Sequence, residues 1–315
     1  MTVSVIVMTL NAEKTLDALL CRLEQQTLPP CEILVADSES DDGTAKIAAT
    51  HPLVTLLTIP RKTFDHGGSR HQALLASHGD VVCFLTQDAL PADERYLEQL
   101  TAAFADPEVA GVCGRQVADP AARPEEKLTR QFNYPAESFV RSREDVARLG
   151  IKAYFFSDAC SAYRRQDYLA ADGFARPLLT NEDMLMAAAQ LKRGKKIAYC
   201  AEAKVWHSHG YSLAQDYRRS FDIGVFLKQH QDDLPGRTAN HEGLRYVRWV
   251  SVRLLKKARL CSLVRFFFHC AARYLGSRAG SRYERMSREW ILRRTGQRAY
   301  WLREDEAQPA KERSL

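Results

Sequence analysis

The chain has 315 residues, 45% of them hydrophobic, and a formal net charge of +6. This length and composition predict a globular protein with a full interior, formed by one large catalytic domain and an appendage. Eight cysteines without a CxxC pair suggest neither a zinc site nor a disulfide framework, and they indicate buried thiols in a reducing compartment.

The first half of the chain alternates short apolar runs with helical patterns. This rhythm is typical of βαβ units and predicts a mostly parallel sheet covered by helices on both faces. The predicted strands are SVIVM, EILVAD, VTLLTI, VVCFL and GVCGRQV, and the predicted helices cover 13–25, the residues after Asp42, 67–78 and 93–104.

The N-terminus, MTVSVIVMTLN, runs directly into the first predicted strand. It lacks a basic leader and a small-residue cleavage site, which a secretory signal peptide would need. We therefore expect the protein to stay in the cytoplasm.

A carboxylate ends the second predicted strand. Asp37 is placed to accept the imide N–H of a uracil or thymine base, whereas Asp42 is better explained as a helix cap. In open α/β sheets, ligands bind outside the carboxyl ends of the strands. Asp37 is thus a candidate nucleotide-binding residue.

The third strand-to-helix turn contains two glycines and an arginine. Gly67 and Gly68 allow a close backbone approach at a helix N-terminus, which favours anions, and Arg70 is positioned to pair with a pyrophosphate. The GxxxxGK[ST] and GxGxxG spacings are absent. A glycine pair that serves only helix packing is the alternative.

The run TQDALP closes the apolar strand VVCFL with a single carboxylate, Asp88. Its place at a strand end makes Asp88 a candidate metal or phosphate-site residue. A simple turn between strand and helix is the alternative.

The second half begins with a polar, charged stretch over 119–150, which we interpret as a mobile insertion over a site. After it come YFFSDACSAYRR, a helix that begins near Asn181, and a strand through IAYCAEAKVWH. Asn181 could cap its helix, with two acids favouring the helix dipole.

The tail carries most of the positive charge. Residues 1–244 sum to −6, whereas 245–315 contain 18 Lys and Arg against 6 Asp and Glu. Such asymmetry indicates a polyanionic partner, either nucleic acid or an anionic membrane face. One helical stripe of this tail is apolar and the other side is basic. The apolar positions are Val247, Val250, Leu254, Ala258, Cys261 and Phe268.

This stripe favours a helix that lies in the membrane interface, because its apolar stretches are too short to cross a bilayer. The alternative is a helical subdomain that packs on the body with solvated charges, and both can hold together. Nucleic-acid binding is disfavoured, because basic and long apolar side chains alternate and no nucleic-acid module motif occurs. A homodimer formed through the tail is a further alternative.

Several ordered motifs resemble family 2 glycosyltransferases of the GT-A fold, and specifically bacterial rhamnosyltransferases that use dTDP-L-rhamnose. The resemblance covers about residues 3–230. It implies a catalytic domain over 1–243, with a nucleotide-binding half to about 118 and an acceptor half from about 119, leaving 244–315 as a membrane-associating tail. The motifs are SVIVMTLNAEKTL, DSESDDGT, TFDHGGSRHQAL, FLTQDALP and TNEDMLMAA.

By this resemblance, nucleotide-sugar binding falls to Thr9, Asn11 and Asp37, and Arg70 matches the basic residue near the diphosphate. The family's fold and chemistry imply a divalent cofactor, Mg²⁺ or Mn²⁺, that holds this diphosphate.

The run Thr86-Gln87-Asp88 stands at the place of the family's DxD motif, so Gln87 and Asp88 are assigned to the nucleotide sugar and Asp88 also to the metal. Because Thr86 replaces the first Asp, the metal would depend more on phosphate, water and a second protein ligand. His207 resembles the family's metal-contacting histidine, and His209 is the second candidate for that role. A strand-end histidine with satisfied ring nitrogens is the alternative.

The acids Glu182 and Asp183 resemble the family's pair at the start of the acceptor-side helix. Asp183 is assigned as the general base and Glu182 as an orienting or acceptor-binding residue. Asp158 and His209 are assigned to the acceptor or sugar side, with Tyr163 and Arg164 near them.

The resemblance therefore implies an inverting, metal-dependent transfer of L-rhamnose from dTDP-L-rhamnose to a saccharide acceptor. A lipid-linked acceptor of cell-surface polysaccharide synthesis, such as O-antigen or exopolysaccharide, is expected, with the enzyme peripheral on the cytoplasmic side of the inner membrane. The alternative keeps the fold and takes a UDP-hexose or UDP-N-acetylhexosamine as donor.

Overall fold

A computed structural model describes residues 1–235 and 239–307, and the side chains of 1–235 and 242–303. Within these residues, one mixed sheet of nine strands has helices on both faces. The strands are β1 (Val3–Thr9), β2 (Glu32–Asp37), β3 (Val54–Thr58), β4 (Val81–Thr86), β5 (Leu90–Pro91), β6 (Val109–Val117), β7 (Phe139–Arg141), β8 (Cys160–Arg164) and β9 (Lys196–Trp206).

The helices alternate with the strands in the first half, as predicted, and dominate the second. They are α1 (Leu16–Glu24), α2 (Thr44–Ala48), α3 (His66–Ala76), α4 (Tyr96–Thr101), α5 (Pro124–Asn133), α6 (Asp145–Leu149), α7 (Arg165–Ala170), α8 (Glu182–Lys192), α9 (Leu213–Gln229), α10 (Ala239–Lys256), α11 (Leu260–Gly280), α12 (Arg288–Arg294) and α13 (Arg298–Ala307).

The strand order is β3-β2-β1-β4-β8-β6-β9-β5, and β7 pairs with β9. The first four strands in this order are parallel, and β8 runs antiparallel to both β4 and β6. The predicted α/β class is therefore confirmed, and the parallel arrangement is concentrated in the first half. The register aligns Thr9 with Asp37 and Met8 with Thr86, so the predicted strand-end residues share one edge.

The core lies on both faces of the sheet because alternate residues of each strand point to opposite sides. On β1, Ile6 and Met8 belong to one buried cluster, whereas Val5 and Val7 belong to the other. The second cluster also contains the apolar stripe of α1, which the sequence predicted. This stripe consists of Leu16, Leu19, Leu20 and Leu23.

The stretch 119–150 forms α5, β7 and α6. Helix α5 buries Leu128 in a cluster with Val250, Leu254 and Phe266, and β7 pairs with β9. Leu128 thus packs against helices more than 100 positions away in the sequence, a contact that its polar surroundings in the sequence do not indicate.

The helices after residue 238 pack on the body. The predicted single apolar stripe is interrupted, because Ala258 has φ of 51° and separates α10 from α11. Helix α11 lies against α9, where Gly276 and Gly280 allow the two backbones to approach closely. Residues 308–315 of the predicted tail lie outside the described residues.

Among the described helices, none combines the length and apolar character that a bilayer-crossing helix requires.

Replacing Gly280 with alanine should lower the free energy of unfolding by about 1–3 kcal/mol. The new Cβ would clash with the carbonyl oxygen of Phe221 on α9. Gly243→Ala on α10 is the matched control, because no described heavy atom lies within 4 Å of an added Cβ there. Alanine is also favoured over glycine in helices, so urea unfolding should show this control unchanged or stabilised. Equal destabilisation of both variants would contradict the close packing of α9 and α11.

Candidate active site

Two cavities meet at the carboxyl ends of the parallel strands. The strand-end cavity, of about 440 Å³, lies at the ends of β1 and β4, and the acid cavity, of about 580 Å³, contains Asp158, Glu182 and Asp183. A molecule bound in one cavity would therefore lie against a molecule bound in the other. The residues that line both are His66, Arg70, Thr86 and Asp88.

The predicted nucleotide-binding pair Thr9 and Asp37 is hydrogen-bonded at the strand ends. The Thr9 hydroxyl donates to Asp37 Oδ1 at 2.9 Å, and the Ser40 backbone N–H donates to Asp37 Oδ2 at 2.8 Å. Thr9 lines the strand-end cavity, whereas Asp37 is only 4% exposed and is absent from its lining. Asp37 therefore fixes the loop that borders the cavity.

The predicted residues Asn11 and Gln87 also hold loops in place. The Asn11 side chain accepts the Asp41 backbone N–H at 2.9 Å. The Gln87 amide pairs with both backbone groups of Leu10, at 2.7 and 3.1 Å. Of these two predicted residues, Gln87 lines the strand-end cavity and Asn11 does not.

The glycine pair at the start of α3 serves packing. An added Cβ on Gly67 would lie 2.5 Å from the Ala175 carbonyl oxygen. The Gly68 N–H is occupied, because it donates to Asp65 Oδ1 at 2.7 Å. The side chain of Asp65 caps this helix, so the Gly68 N–H is not available to an anion.

Arg70 and Glu182 form a buried ion pair between α3 and α8. Arg70 Nη1 lies 2.9 Å from Glu182 Oε1, and each side chain is 7% exposed. Burial opposes the ionisation of both groups, but the mutual attraction outweighs it. The pKa of Glu182 is lowered and the pKa of Arg70 is raised, so both stay charged.

Asp183 lies beside this pair, but its surroundings raise the pKa of its carboxyl, whereas the surroundings of Glu182 lower the pKa of Glu182. Its two carboxylate oxygens accept the backbone N–H groups of Met184 at 2.7 Å and Asp158 at 3.2 Å. Burial raises the pKa of Asp183 well above its ordinary value, and the charges of Glu182 and Asp158 raise it further. Asp183 is therefore a stronger base than an ordinary aspartate.

Asp158 is held by two hydroxyl donors inside the acid cavity. Ser161 Oγ and Tyr163 OH donate to Asp158 Oδ1 at 2.6 and 2.8 Å. Burial raises the pKa of Asp158 to about 6, although Arg70 opposes the increase. The expectation that Tyr163 lies nearby is met, whereas Arg164 points elsewhere and donates to the Phe104 carbonyl.

Four buried polar atoms without a described hydrogen-bond partner belong to residues that line the acid cavity. Folded proteins rarely leave such atoms unsatisfied, so a group of them in one cavity points to a ligand. Among the described side chains, those that line the cavity are Arg70 Nε, Thr86 Oγ1, Asp158 Oδ2 and His207 Nε2.

Asp88, His207 and His209 form a cluster of metal-ligating side chains. His207 Nδ1 lies 2.9 Å from Gln116 Oε1, which can only accept, so Nδ1 carries the proton. The free lone pair of His207 Nε2 is then 3.4 Å from Asp88 Oδ1. His209, assigned from the sequence to the acceptor or sugar side, places Nδ1 3.4 Å from Asp88 Oδ2.

This cluster fits a divalent metal. Each histidine nitrogen lies 3.4 Å from an oxygen of Asp88, within the roughly 4.2 Å that two bonds of about 2.1 Å to one ion can span. The pKa of His209 is lowered to about 4, mainly by burial and to a smaller extent by the neighbouring His207, so this ring is neutral at pH 7. The hydrogen bond from His207 to Gln116 is the kind of contact that orients a metal-binding histidine.

One wall of the strand-end cavity comes from the C-terminal segment, which the sequence reasoning missed. The strand-end cavity that Thr9 lines is also lined by Gln297, Ala299, Tyr300 and Arg303. Local periodicity could not connect these positions with the first strand. The signal available was the Thr295-Gly296 break between two short helical patterns, which the interpretation of the tail as a membrane helix left unused.

The sequence profile of Glycosyl transferase family 2 matches residues 4–169, more than half of the chain. The chain belongs to glycosyltransferase family 2. The expectation of a glycosyltransferase is thereby confirmed.

Relatives of this family 2 glycosyltransferase extend the match into the tail. The chain is 36% identical over 305 residues to the O-antigen chain rhamnosyltransferase RfbN of Salmonella typhimurium, covering 96% of each protein. It is 38% identical over 282 residues to the O-antigen chain rhamnosyltransferase WbaN of Salmonella anatum, covering 88% of each.

Solved structures show the same fold. The mannosyltransferase PcManGT from Pyrobaculum calidifontis, in complex with GDP-Man and Mn²⁺, has a TM-score of 0.57 at 20% identity, covering 95% of this chain and 84% of that one. Staphylococcus aureus TarS in complex with UDP-GlcNAc has a TM-score of 0.53 at 18% identity, covering 90% and 92%. The predicted GT-A fold of this family 2 glycosyltransferase is confirmed.

Proposed function

We propose that this glycosyltransferase transfers L-rhamnose from dTDP-L-rhamnose to a saccharide acceptor in O-antigen synthesis, with inversion at the anomeric carbon. One observation supports the proposed reaction: two cavities meet beside Asp88 and Arg70, and Asp183 lies in one of them. The choice of rhamnose is supported by the two related rhamnosyltransferases, which match almost the whole chain.

In this proposal the strand-end cavity receives the nucleotide and the acid cavity receives the acceptor. Asp183 takes the proton of the acceptor hydroxyl as its oxygen bonds to the anomeric carbon and the bond from that carbon to the diphosphate breaks. Arg70 lines both cavities, so its guanidinium would lie near the leaving diphosphate. It also keeps Glu182 ionised, and the charge of Glu182 holds Asp183 basic.

Asp88, His207 and His209 would hold the divalent metal. When bound there, the ion would neutralise charge on the diphosphate. Two imidazoles beside one carboxylate favour Mn²⁺ over Mg²⁺, because Mg²⁺ prefers oxygen ligands.

A groove connects the acid cavity with an exposed apolar surface on α11. The outer end of the groove and its middle share the lining residues Arg123, Tyr211 and His269. The middle of the groove and the acid cavity share His209 and Arg273. Such a path suits an acceptor with a lipid at one end and a saccharide at the other. At the outer end the exposed apolar side chains are Leu260, Val264 and Phe268.

We therefore propose a peripheral location on the cytoplasmic face of the inner membrane, reached through this surface of α11 and the positive charge of 245–315. Helices α10 and α11 bury part of their apolar residues against the body. The same helices also expose apolar side chains. A homodimer and the boundary at residue 243 stay predictions.

The double variant Val264→Ser, Phe268→Ser should bind vesicles that contain phosphatidylglycerol at least about tenfold more weakly, because two exposed apolar side chains are lost. Leu75→Ser on α3 is the control, since Leu75 is 56% exposed and Val264 is 55% exposed. Vesicle co-sedimentation measures both. Unchanged binding of the double variant would remove α11 from the proposed membrane surface.

The donor is tested with the purified protein, Mn²⁺ and a lipid-linked saccharide acceptor. We expect dTDP-L-rhamnose to stabilise the protein against thermal unfolding and to give a rhamnosylated product in mass spectrometry, whereas UDP-glucose and UDP-N-acetylglucosamine do neither. Turnover with a UDP-sugar and none with dTDP-L-rhamnose would overturn the proposed donor.

A further inference from the structure

The C-terminal segment 295–303 reaches across to the start of α3. Gln297 Nε2 lies 3.0 Å from His66 Nε2, and His66 lines both cavities. The side-chain amide nitrogen can only donate, so His66 Nε2 accepts, and the His66 ring is fixed beside Arg70. The segment is thus bonded to a residue at the junction of the cavities.

This position of the segment is fixed by buried contacts. Asp222 on α9 accepts the Thr295 hydroxyl at 2.6 Å and the Gly296 N–H at 2.8 Å. Trp301 is 3% exposed and packs in a cluster with Phe221. A segment anchored on both sides of Gln297 forms a stable wall of the cavity.

The side chain of Arg303 places a positive charge in this wall of the cavity. Its Nη1 donates to the Thr63 carbonyl at 3.2 Å, and its side chain is 28% exposed. Among the described side chains, the one carboxylate within 4 Å is that of Asp65, at 3.8 Å. Asp65 is already engaged with the backbone N–H groups of Gly68 and Leu178. Arg303 Nε donates to the Ala299 carbonyl at 3.3 Å, so among the described contacts the remaining N–H groups of Nη1 and Nη2 are available to an anion in the cavity.

We infer that the segment 295–303 is part of the donor site, in which Arg303 binds the anionic diphosphate of the nucleotide sugar and Gln297 positions His66. The inference rests on the proposed function for the nature of the ligand, a nucleoside diphosphate sugar. It assigns to the basic tail a role in donor recognition in addition to any role at the membrane.

The test compares Arg303→Ala with Arg298→Ala in the full chain. Both remove one arginine from α13, but Arg298 does not line the cavity. We expect Arg303→Ala to weaken binding of dTDP by tenfold or more and to raise KM for the donor but not for the acceptor, because a hydrogen bond between two charged groups is lost. Arg303→Lys should recover part of the loss, and Arg298→Ala should bind like the unmodified protein.

Calorimetric titration measures the affinities, and circular dichroism confirms that each variant is folded. If Arg303→Ala were unfolded, Gln297→Ala would serve in its place, with a raised donor KM expected. Unchanged dTDP affinity in the folded variant, or an equal loss in Arg298→Ala, would overturn the inference. If the unmodified protein bound UDP and not dTDP, the proposed donor would fail, and the comparison of the two arginine variants would be made with UDP.

Discussion

Asp183→Asn is expected to lower kcat by about 10³-fold and to leave the affinity for dTDP within about twofold, because a general base contributes about 10²–10⁴-fold to such a step. Asparagine has nearly the same shape, and its side-chain oxygen can still accept one of the two backbone N–H groups that Asp183 binds. It cannot take a proton from the acceptor. Rates from radiolabelled transfer and affinities from calorimetry separate the two quantities.

The pH dependence provides a second test of this assignment. Burial and the neighbouring acids raise the pKa of Asp183, so the base becomes protonated, and activity is lost, at a higher pH than for an ordinary carboxyl of about 3.9. In the unmodified enzyme kcat/KM should therefore rise with pH through the acid range, and Asp183→Asn should abolish this rise.

Asp158→Asn is the matched comparison, because Asp158 is another buried acid of the same cavity, with a pKa raised to about 6. Turnover retained by Asp183→Asn and lost by Asp158→Asn would transfer the role of the base to Asp158.

Asp88→Asn should reduce kcat/KM by at least about 10²-fold at limiting Mn²⁺, with partial recovery as the free Mn²⁺ concentration is raised. Asp88 is the only carboxylate among the described residues of the cluster with His207 and His209. The measurement is the rate of transfer by EDTA-treated protein as a function of Mn²⁺ and, separately, of Mg²⁺.

The control for metal dependence is His51→Ala. His51 belongs to a second group of ligating side chains, with Asp17 and Cys21, which lines neither cavity. Its removal should leave the Mn²⁺ curve unchanged. Full activity after EDTA treatment, or a curve for Asp88→Asn that matches the unmodified enzyme, would exclude a catalytic metal at this cluster.

The parts of the site that were predictable from the sequence are those that follow a strand or begin a helix. Thr9 and Asp88 follow apolar runs that can only be buried strands, and parallel strands bring their carboxyl ends to one edge. Asp183 stands in the first turn of a clear helical pattern. These positions depend on local patterns, which a sequence contains directly.

The parts that were not predictable depend on contacts between distant segments. The wall formed by Gln297 and Arg303 exists because Trp301 is buried against α9. No local sequence pattern predicts that contact. The sequence also gave no reason to expect Gln116 behind His207, since the two meet 91 residues apart through the pairing of β6 with β9. Ala258 breaks the apolar stripe of the tail through a left-handed conformation that alanine rarely adopts.

The close packing of α9 and α11 has a geometric consequence for the acceptor. Gly276 and Gly280 join the backbones of the two helices without intervening side chains, and α9 also contributes Asp216 and Arg219 to the acid cavity. The packing of α9 on α11 therefore helps to set the distance from the exposed surface of α11 to the acid cavity. If that surface rests on the bilayer, as proposed, we expect only saccharides long enough to span this height to place their terminal sugar in the acid cavity beside Asp183.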